Sequence, residues 1–303
     1  MRIKLCGLIA CAAMLAAGVV SCQQHDDIPQ GIKYPILFGS TDTRAVADLD
    51  NLKEGFKVYA YVQGNAGSTS FAKDVVYNAN NSVWAFESPE YWIPNTDYYF
   101  KAFYPKALIA GTLTVANTDK NQDFTITGFD ITKQEDIMVA SAKASVGADA
   151  SAPSNGSVVP LEFQHLLANV VVKIKAEVNV TINNVSLKYV PVNGNYADGL
   201  WSYSSQGNIE KDGLNKSLSS SSNEYHDVTD GGFLVFPCDI NETKLYIKTS
   251  DKTYELPLTA PTSWVAGNRY TYTLTIKQND ILFDEPTVEE WDEENAVGSV
   301  IIK

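Results

Sequence analysis

Three residue types in this chain stand in settings where they could do chemistry: cysteine, histidine and one isolated arginine. Cys22 follows Val19-Val20-Ser21 and precedes the polar run Gln23, Gln24, His25, Asp26 and Asp27. Ahead of it, Arg2 and Lys4 lead into an uncharged stretch from Leu5 to Val20, which is the layout of a secretory signal. A cysteine placed this way matches a relaxed bacterial lipobox. Cys22 is therefore expected to become the diacylated N-terminus of the mature chain, its acyl chains (palmitate among them) buried in a bilayer. An ordinary signal cleaved nearby is the alternative, and the apolar stretch is short for a membrane span. Arg44 lies in Thr41-Asp42-Thr43-Arg44-Ala45-Val46, between two candidate strands. An arginine among small and polar residues in a loop is a protease target, because exposed backbone can be drawn into an active-site cleft. The bond at risk is Arg44–Ala45.

The other candidates have structural explanations. Cys6 and Cys11 leave with the signal and lipid consumes Cys22, so Cys238 stands alone and no intrachain disulfide is expected. Within Phe233-Leu234-Val235-Phe236-Pro237-Cys238 it reads as a small buried hydrophobe, with no neighbour to lower its pKa. His25, His165 and His226 show no metal-site spacing, and neither H-E-x-x-H nor C-x-x-C occurs. His165, in Phe163-Gln164-His165-Leu166-Leu167, reads as a structural histidine with its hydrogen bonds satisfied. A Ser-His-Asp arrangement stays open, since its members need not be adjacent, but there is no G-x-S-x-G elbow. Glu289-Glu290 and Glu293-Glu294 have the chemistry of glycoside hydrolysis, although acidic runs near a terminus usually mark a solvated surface. No catalytic residue, metal or cofactor is assigned, and a non-enzymatic protein is expected.

The elements that must position Cys22 and Arg44 are β. The 303 residues are 45% hydrophobic, enough for a sizeable core, and rich in Tyr, Phe, Val and Thr. Long helix-forming runs are missing. With 36 acidic against 23 basic residues the net charge is −13, and loss of Arg2 and Lys4 with the signal makes it −15. That is the wrong sign for neutralising phosphates, so nucleic acid is not an expected partner. Short apolar runs separated by turns predict strands at 34–38, 56–62, 82–86, 98–104 and 137–140. A second set is predicted at 168–178, 185–190, 232–236, 244–249, 253–258, 270–277 and 299–302. Between the sets, Ala144 to Ser157 reads as a linker or long hairpin loop. In Tyr270-Thr271-Tyr272-Thr273-Leu274-Thr275-Ile276 the alternation predicts one buried and one wet face, which favours antiparallel sheets. Leu161 to Lys175 reads as a turn feeding a strand, or as a short helix; Ser217 to Asn223 reads as a mobile loop.

Several segments then fall into one pattern. The Thr43-Arg44-Ala45 step is followed by Val58-Tyr59-Ala60-Tyr61. Later come the run from Phe163 to Ile174, the run Trp264-Val265-Ala266-Gly267-Asn268-Arg269-Tyr270-Thr271-Tyr272-Thr273-Leu274, and Val288-Glu289-Glu290-Trp291. With the lipobox, and in this order over nearly the whole chain, they resemble the fimbrillin-like proteins, subunits of type V pili of Bacteroides-type bacteria. The resemblance implies an all-β protein of two tandem transthyretin-like β-sandwich domains. It divides the chain into a lipoprotein signal peptide (1–21), a propeptide with the lipidated cysteine and first strand (22–44), an N-terminal sandwich (45–158) and a C-terminal sandwich with a donor strand (159–303).

It further implies passage to the outer membrane, anchoring in its lipid until an arginine-specific protease cuts between Arg44 and Ala45, and life at the cell surface in a fimbrium. The cut would release the strand bearing Tyr34, Ile36 and Phe38. The vacancy would be filled by a neighbouring subunit's strand, head to tail, giving a filament that supports adhesion to a host or bacterial surface ligand. The donor maps to Val297, Val300, Ile301 and Ile302, with Gly298 allowing a bend; alternatively this tail is the molecule's own last strand, as in a tip subunit. The competing function is a lipidated, unpolymerised surface module that binds glycans through Tyr91-Trp92-Ile93-Pro94 and Tyr98-Tyr99-Phe100. Against that stands the commoner role of such aromatics, core packing. A hydrolase is a third hypothesis, and it requires convergent carboxylates.

Overall fold

The computed structural model describes residues 33–39, 49–154, 158–278 and 280–291. They belong to one compact unit, Lys33–Lys303. In chain order the first elements are β1 (Leu37–Gly39), the short helix α1 (Leu49–Lys53), β2 (Phe56–Gly64), β3 (Gly67–Asn78), β4 (Val83–Phe86), β5 (Thr96–Tyr104), β6 (Thr112–Val115) and β7 (Phe124–Asp130). Next come β8 (Met138–Val146), β9 (Val158–Pro160), β10 (Gln164–His165), β11 (Ala168–Ala176), β12 (Val180–Ala197) and β13 (Leu200–Leu218). The last are β14 (His226–Asp227), β15 (Phe233–Val235), β16 (Lys244–Thr249), β17 (Thr253–Pro257), β18 (Asn268–Ile276), β19 (Ile281–Phe283) and β20 (Thr287–Glu290). The all-β expectation holds.

One sheet has the order β10-β8-β5-β2-β3-β4-β1-β9. Its strands alternate as the pleat requires: Phe56, Val58, Ala60 and Val62 of β2 point inward, as do Tyr98, Phe100 and Ala102 of β5. The sheet bends on itself along β3, whose first residues pair with β2 and whose last four pair with β4. As a result Phe38 of β1 meets Phe100 of β5 ring to ring at 5.3 Å, although three strands separate them in the sheet. Ile36, Phe38, Phe86, Trp92, Val159 and Leu161 belong to the core enclosed by this fold.

A second core lies between two further sheets. One has the order β14-β11-β18-β19, with β15 also on β11 and β20 also on β18. The other has the order β17-β16-β12-β7-β6, with β13 also on β12. Val170, Val172 and Ile174 from the first share this core with Ile182, Val185, Leu187, Leu245 and Ile247 from the second, together with Phe129, Phe236 and Trp264.

Two local expectations differ from the structure. β11 and β18 are parallel, joined over Asn169–Ala176 and Arg269–Ile276, because the chain crosses through the opposite sheet between them. The threonine face of β18 is not wet: Thr271 and Thr275 are both buried, as befits a central parallel strand. Between Leu161 and Lys175 the reading of a turn feeding a strand holds: after the two-residue β10 the chain bends at Leu166 and Leu167 into β11.

Candidate functional site

The first strand and its bed form the candidate site. Before β1, Pro35 bridges to Tyr91, the Ile36 N–H donates to Glu90 O at 2.8 Å, and the Trp92 N–H donates to Tyr34 O at 3.1 Å. β1 then runs antiparallel to β4 (Leu37 opposite Ala85, Phe38 opposite Trp84) and parallel to β9 (Phe38 opposite Val159). Gly39 O accepts from the Leu161 N–H at 2.9 Å. Alternation sends Ile36 and Phe38 inward, with Phe38 fully buried and Ile36 2% exposed, while half-buried Tyr34 packs at the rim of the same core.

Phe38 occupies an aromatic box. Its ring is edge-on to Phe86 at 5.2 Å, Phe100 at 5.3 Å and Phe56 at 6.4 Å. A void of about 10 Å³, lined by Phe38, Gly39, Leu52, Phe56, Trp84, Leu161 and Phe163, lies beside it. That is about the room one water needs, so the box is nearly full. Trp84 is fixed in the wall by its indole N–H, which donates to Leu52 O at 2.9 Å.

β1 is not the edge of its sheet; β9 is, and among the described residues β1 is β9's sole ladder partner. The strand is therefore next to last, flanked outward by three residues. Cys22, Arg44, Ala45, Val297, Val300, Ile301 and Ile302 lie outside the described residues.

The other chemistry-bearing residues are not brought together among the described residues. His165 is held at Nδ1 by the Asp136 carboxylate, 2.9 Å away at the nearer oxygen, and stacks on Trp291 with ring centroids 3.7 Å apart. His226 Nε2 pairs with Ser222 Oγ at 3.1 Å, but Asp227 does not orient that imidazole: its oxygens accept from Thr229 and Gly231. Cys238 is half-buried against the second core, and burial, with Asp239 beside it, pushes its thiol up to about 12. Glu289 and Glu290 pair along β20 with Arg269 and Asn268 of β18. No group of metal-ligating side chains occurs among the described residues, and no described helix is long and apolar enough to cross a membrane.

The aromatic runs proposed for glycan binding divide by pleat. Trp92, Tyr98 and Phe100 are buried, whereas Tyr91 is exposed and Tyr99 half-buried beside Tyr61, with Lys143 over its ring. Tyr98 packs edge-on against Trp92 at 4.8 Å, and burial raises its hydroxyl pKa even though the Ile93 N–H donates to it. Sequence reasoning named β1's inward residues but not the box around Phe38. The alternating Phe and Trp positions of β2, β4 and β5 were the signal, but their convergence depends on the bend in β3.

Two packed β cores, one of them seating the first described strand among aromatic rings, define an all-β protein. Residues 43–291 match the fimbrillin-like family, and the chain belongs to that family of structural pilus subunits. Among solved structures, it is similar to a fimbrial protein from Bacteroides vulgatus ATCC 8482 (18% identity over 86% of this chain and 100% of that one, TM-score 0.57). It is also similar to candidate cell adhesion proteins from Bacteroides uniformis ATCC 8492 (18%, covering 86% and 99%, TM-score 0.56) and Bacteroides ovatus ATCC 8483 (15%, covering 87% and 100%, TM-score 0.55). At these identities the likeness is one of fold. No curated protein matches the chain.

Proposed function

We propose that the chain is a surface pilus subunit acting in adhesion, exported as a lipoprotein through Cys22, matured by cleavage between Arg44 and Ala45, and polymerised by strand exchange. Membership of the fimbrillin-like family and its fold likeness to a fimbrial protein and candidate cell adhesion proteins support the subunit role. One observation carries the mechanism. β1 and the residue before it contribute Phe38 and Ile36 to the heart of the first core, yet both lie N-terminal to Arg44, so a single cut severs them from every other described element of the fold.

Once cut, the released segment is held by the ladder of β1 to β4 and β9, by the backbone hydrogen bonds of Tyr34 and Ile36 to Trp92 and Glu90, and by packing. Its way out is past β9, a three-residue edge strand. Departure unpairs one edge of β4 and opens an apolar slot, a state that burial of another strand relieves. Val297 and Val300, Ile301 and Ile302 are the proposed donor offered to the next subunit. The contact runs head to tail and does not close, so its product is a filament.

The test is digestion of the purified chain with an arginine-specific protease, followed by N-terminal sequencing and electrophoresis without boiling. A new terminus at Ala45 together with an oligomer ladder is expected. An intact Arg44–Ala45 bond, or a complete cut that leaves only monomers still carrying residues 22–44, would overturn the mechanism. The first outcome, in a monomer that keeps its lipid and captures glycans, would favour the unpolymerised module.

A further inference from the structure

The bed of β1 is chemically particular. Three rings present their faces or edges to one point, and a fourth ring, Phe38, fills it to within about 10 Å³. Edge-to-face aromatic pairs contribute beyond the area they bury, so a ring at this point gains three such contacts that an aliphatic side chain does not. The position that follows is also restricted. A Cβ on Gly39 would stand 2.8 Å from Val158 Cγ1, inside contact distance, and Val158 is β-branched with few rotamers on its strand. The alternation of inward residues adds a third requirement, an apolar side chain two positions before the ring, where Ile36 lies.

Resting on the strand-exchange reading above, we propose that this slot selects its occupant: it accepts a strand of the form apolar, any residue, aromatic ring, glycine. The favoured partner is thus a subunit whose donor carries a ring at the Phe38 register. The aliphatic segment Val300, Ile301 and Ile302 of this chain is the poorer occupant, and contact between unlike subunits is preferred over contact between copies of this one. The residues that set this preference are Phe56, Phe86 and Phe100 for the ring and Val158 for the glycine. Discrimination of this kind works by leaving the wrong strand with an unfilled box as much as by rewarding the right one.

The experiment uses the full chain cut after Arg44, with the released segment fluorescently labelled, and competing peptides added in increasing amount. The peptides are the native sequence 31–42, the same with Phe38→Leu, Phe38→Ala or Gly39→Val, and the tail sequence 292–303. The native peptide is expected to displace the label, with Phe38→Ala weaker by about 100-fold or more and Phe38→Leu by about 10-fold. Gly39→Val and the tail peptide are expected to fall between them. If the tail or the Phe38→Ala peptide competes within about threefold of the native one, slot selectivity is wrong while strand exchange stands. If no peptide, the native one included, displaces the segment, strand exchange itself fails and this proposal with it. A measurement on the uncut chain covers the case in which the cut protein precipitates: urea unfolding of the parent and of the Phe38→Leu and Phe38→Met variants. The parent, with its ring, should be more stable than either, and an aliphatic variant as stable as the parent would overturn the proposal.

Discussion

At Cys238 the surroundings decide the chemistry. The thiol packs against the second core, and with its pKa pushed up to about 12 the thiolate is scarce at neutral pH. Native protein at pH 8 should label with a disulfide reagent about 100-fold or more slowly than an ordinary exposed thiol, and promptly once denatured; fast labelling of the native state would contradict this burial. Asp227 shows the opposite balance. Burial works against its charge, but the Gly231 N–H, the Thr229 hydroxyl and N–H, and nearby Lys211 together hold its carboxyl below the usual range. Because the folded pKa is depressed, this stabilisation is complete above the ordinary carboxylate pKa near about 4 and is lost as pH falls through the folded value. Asp227→Asn should cost about 1–2 kcal/mol at pH 7, a figure kept low because the group is only half-buried. The gap between variant and parent should narrow by pH 3 in urea titrations. A gap independent of pH would mean that the charge does not matter.

The loop that Asp227 organises illustrates which elements a sequence displays and which it hides. Gly232 closes that loop with φ +104°. A Cβ there would collide with Asn169 Oδ1 and lie 3.0 Å from Val170 O, both on β11. Gly232→Ala should therefore lose about 2–4 kcal/mol by denaturant unfolding, combining backbone strain with a clash. Gly199, at φ +82° in the β12–β13 turn with open space around it, should lose only about 1 kcal/mol. Equal losses would assign the whole effect to backbone strain. Such loops were faint in the sequence, whereas β2, β5 and β16 were plain, because each has one face in a core and the alternation of apolar residues follows from that. β13 was invisible for the converse reason: nearly all of its 19 residues are exposed or half-exposed, so no face had to be apolar. The turn reading at Leu161–Lys175 held against the helix because Val170, Val171 and Val172 are all buried in β11, on both faces of a central strand. What could not be read was placement. The β6–β7 hairpin pairs with β12, nearly seventy residues onward, and a register set that far away leaves no local pattern.

That hairpin also shapes the behaviour of the whole molecule. Its strands belong to the sheet of the second core, while its loop reaches the first: Asn117 donates to Ala60 O and Phe71 O at 3.0 Å, and buried Gln122 donates to Tyr59 O at 2.8 Å. These amides, Gln122 buried and Asn117 half-buried, tie the two cores together at β2 and β3, away from β1. Loss of β1 should thus weaken the first core without dismantling the second, whose packing of Trp264, Tyr272 and Phe236 does not involve it. Removing Ile36 and Phe38 from full burial costs on the order of 5 kcal/mol, judged from large-to-small core substitutions. In a chain of this size that corresponds to a melting temperature lower by about 10 °C or more. Three samples then separate the possibilities in calorimetry: uncut chain, cut monomer freed of residues 22–44, and polymer. The uncut chain should melt highest and the cut monomer lowest, its deficit confined to an early transition, with the polymer between them because the aliphatic tail fills the slot less well than β1 does. The same burial that stabilises the precursor would then be the free energy that drives assembly, withheld until the Arg44–Ala45 bond is cut. A cut, emptied monomer that melts with the uncut chain would show that β1 contributes little, and the driving force for strand exchange would have to be sought elsewhere.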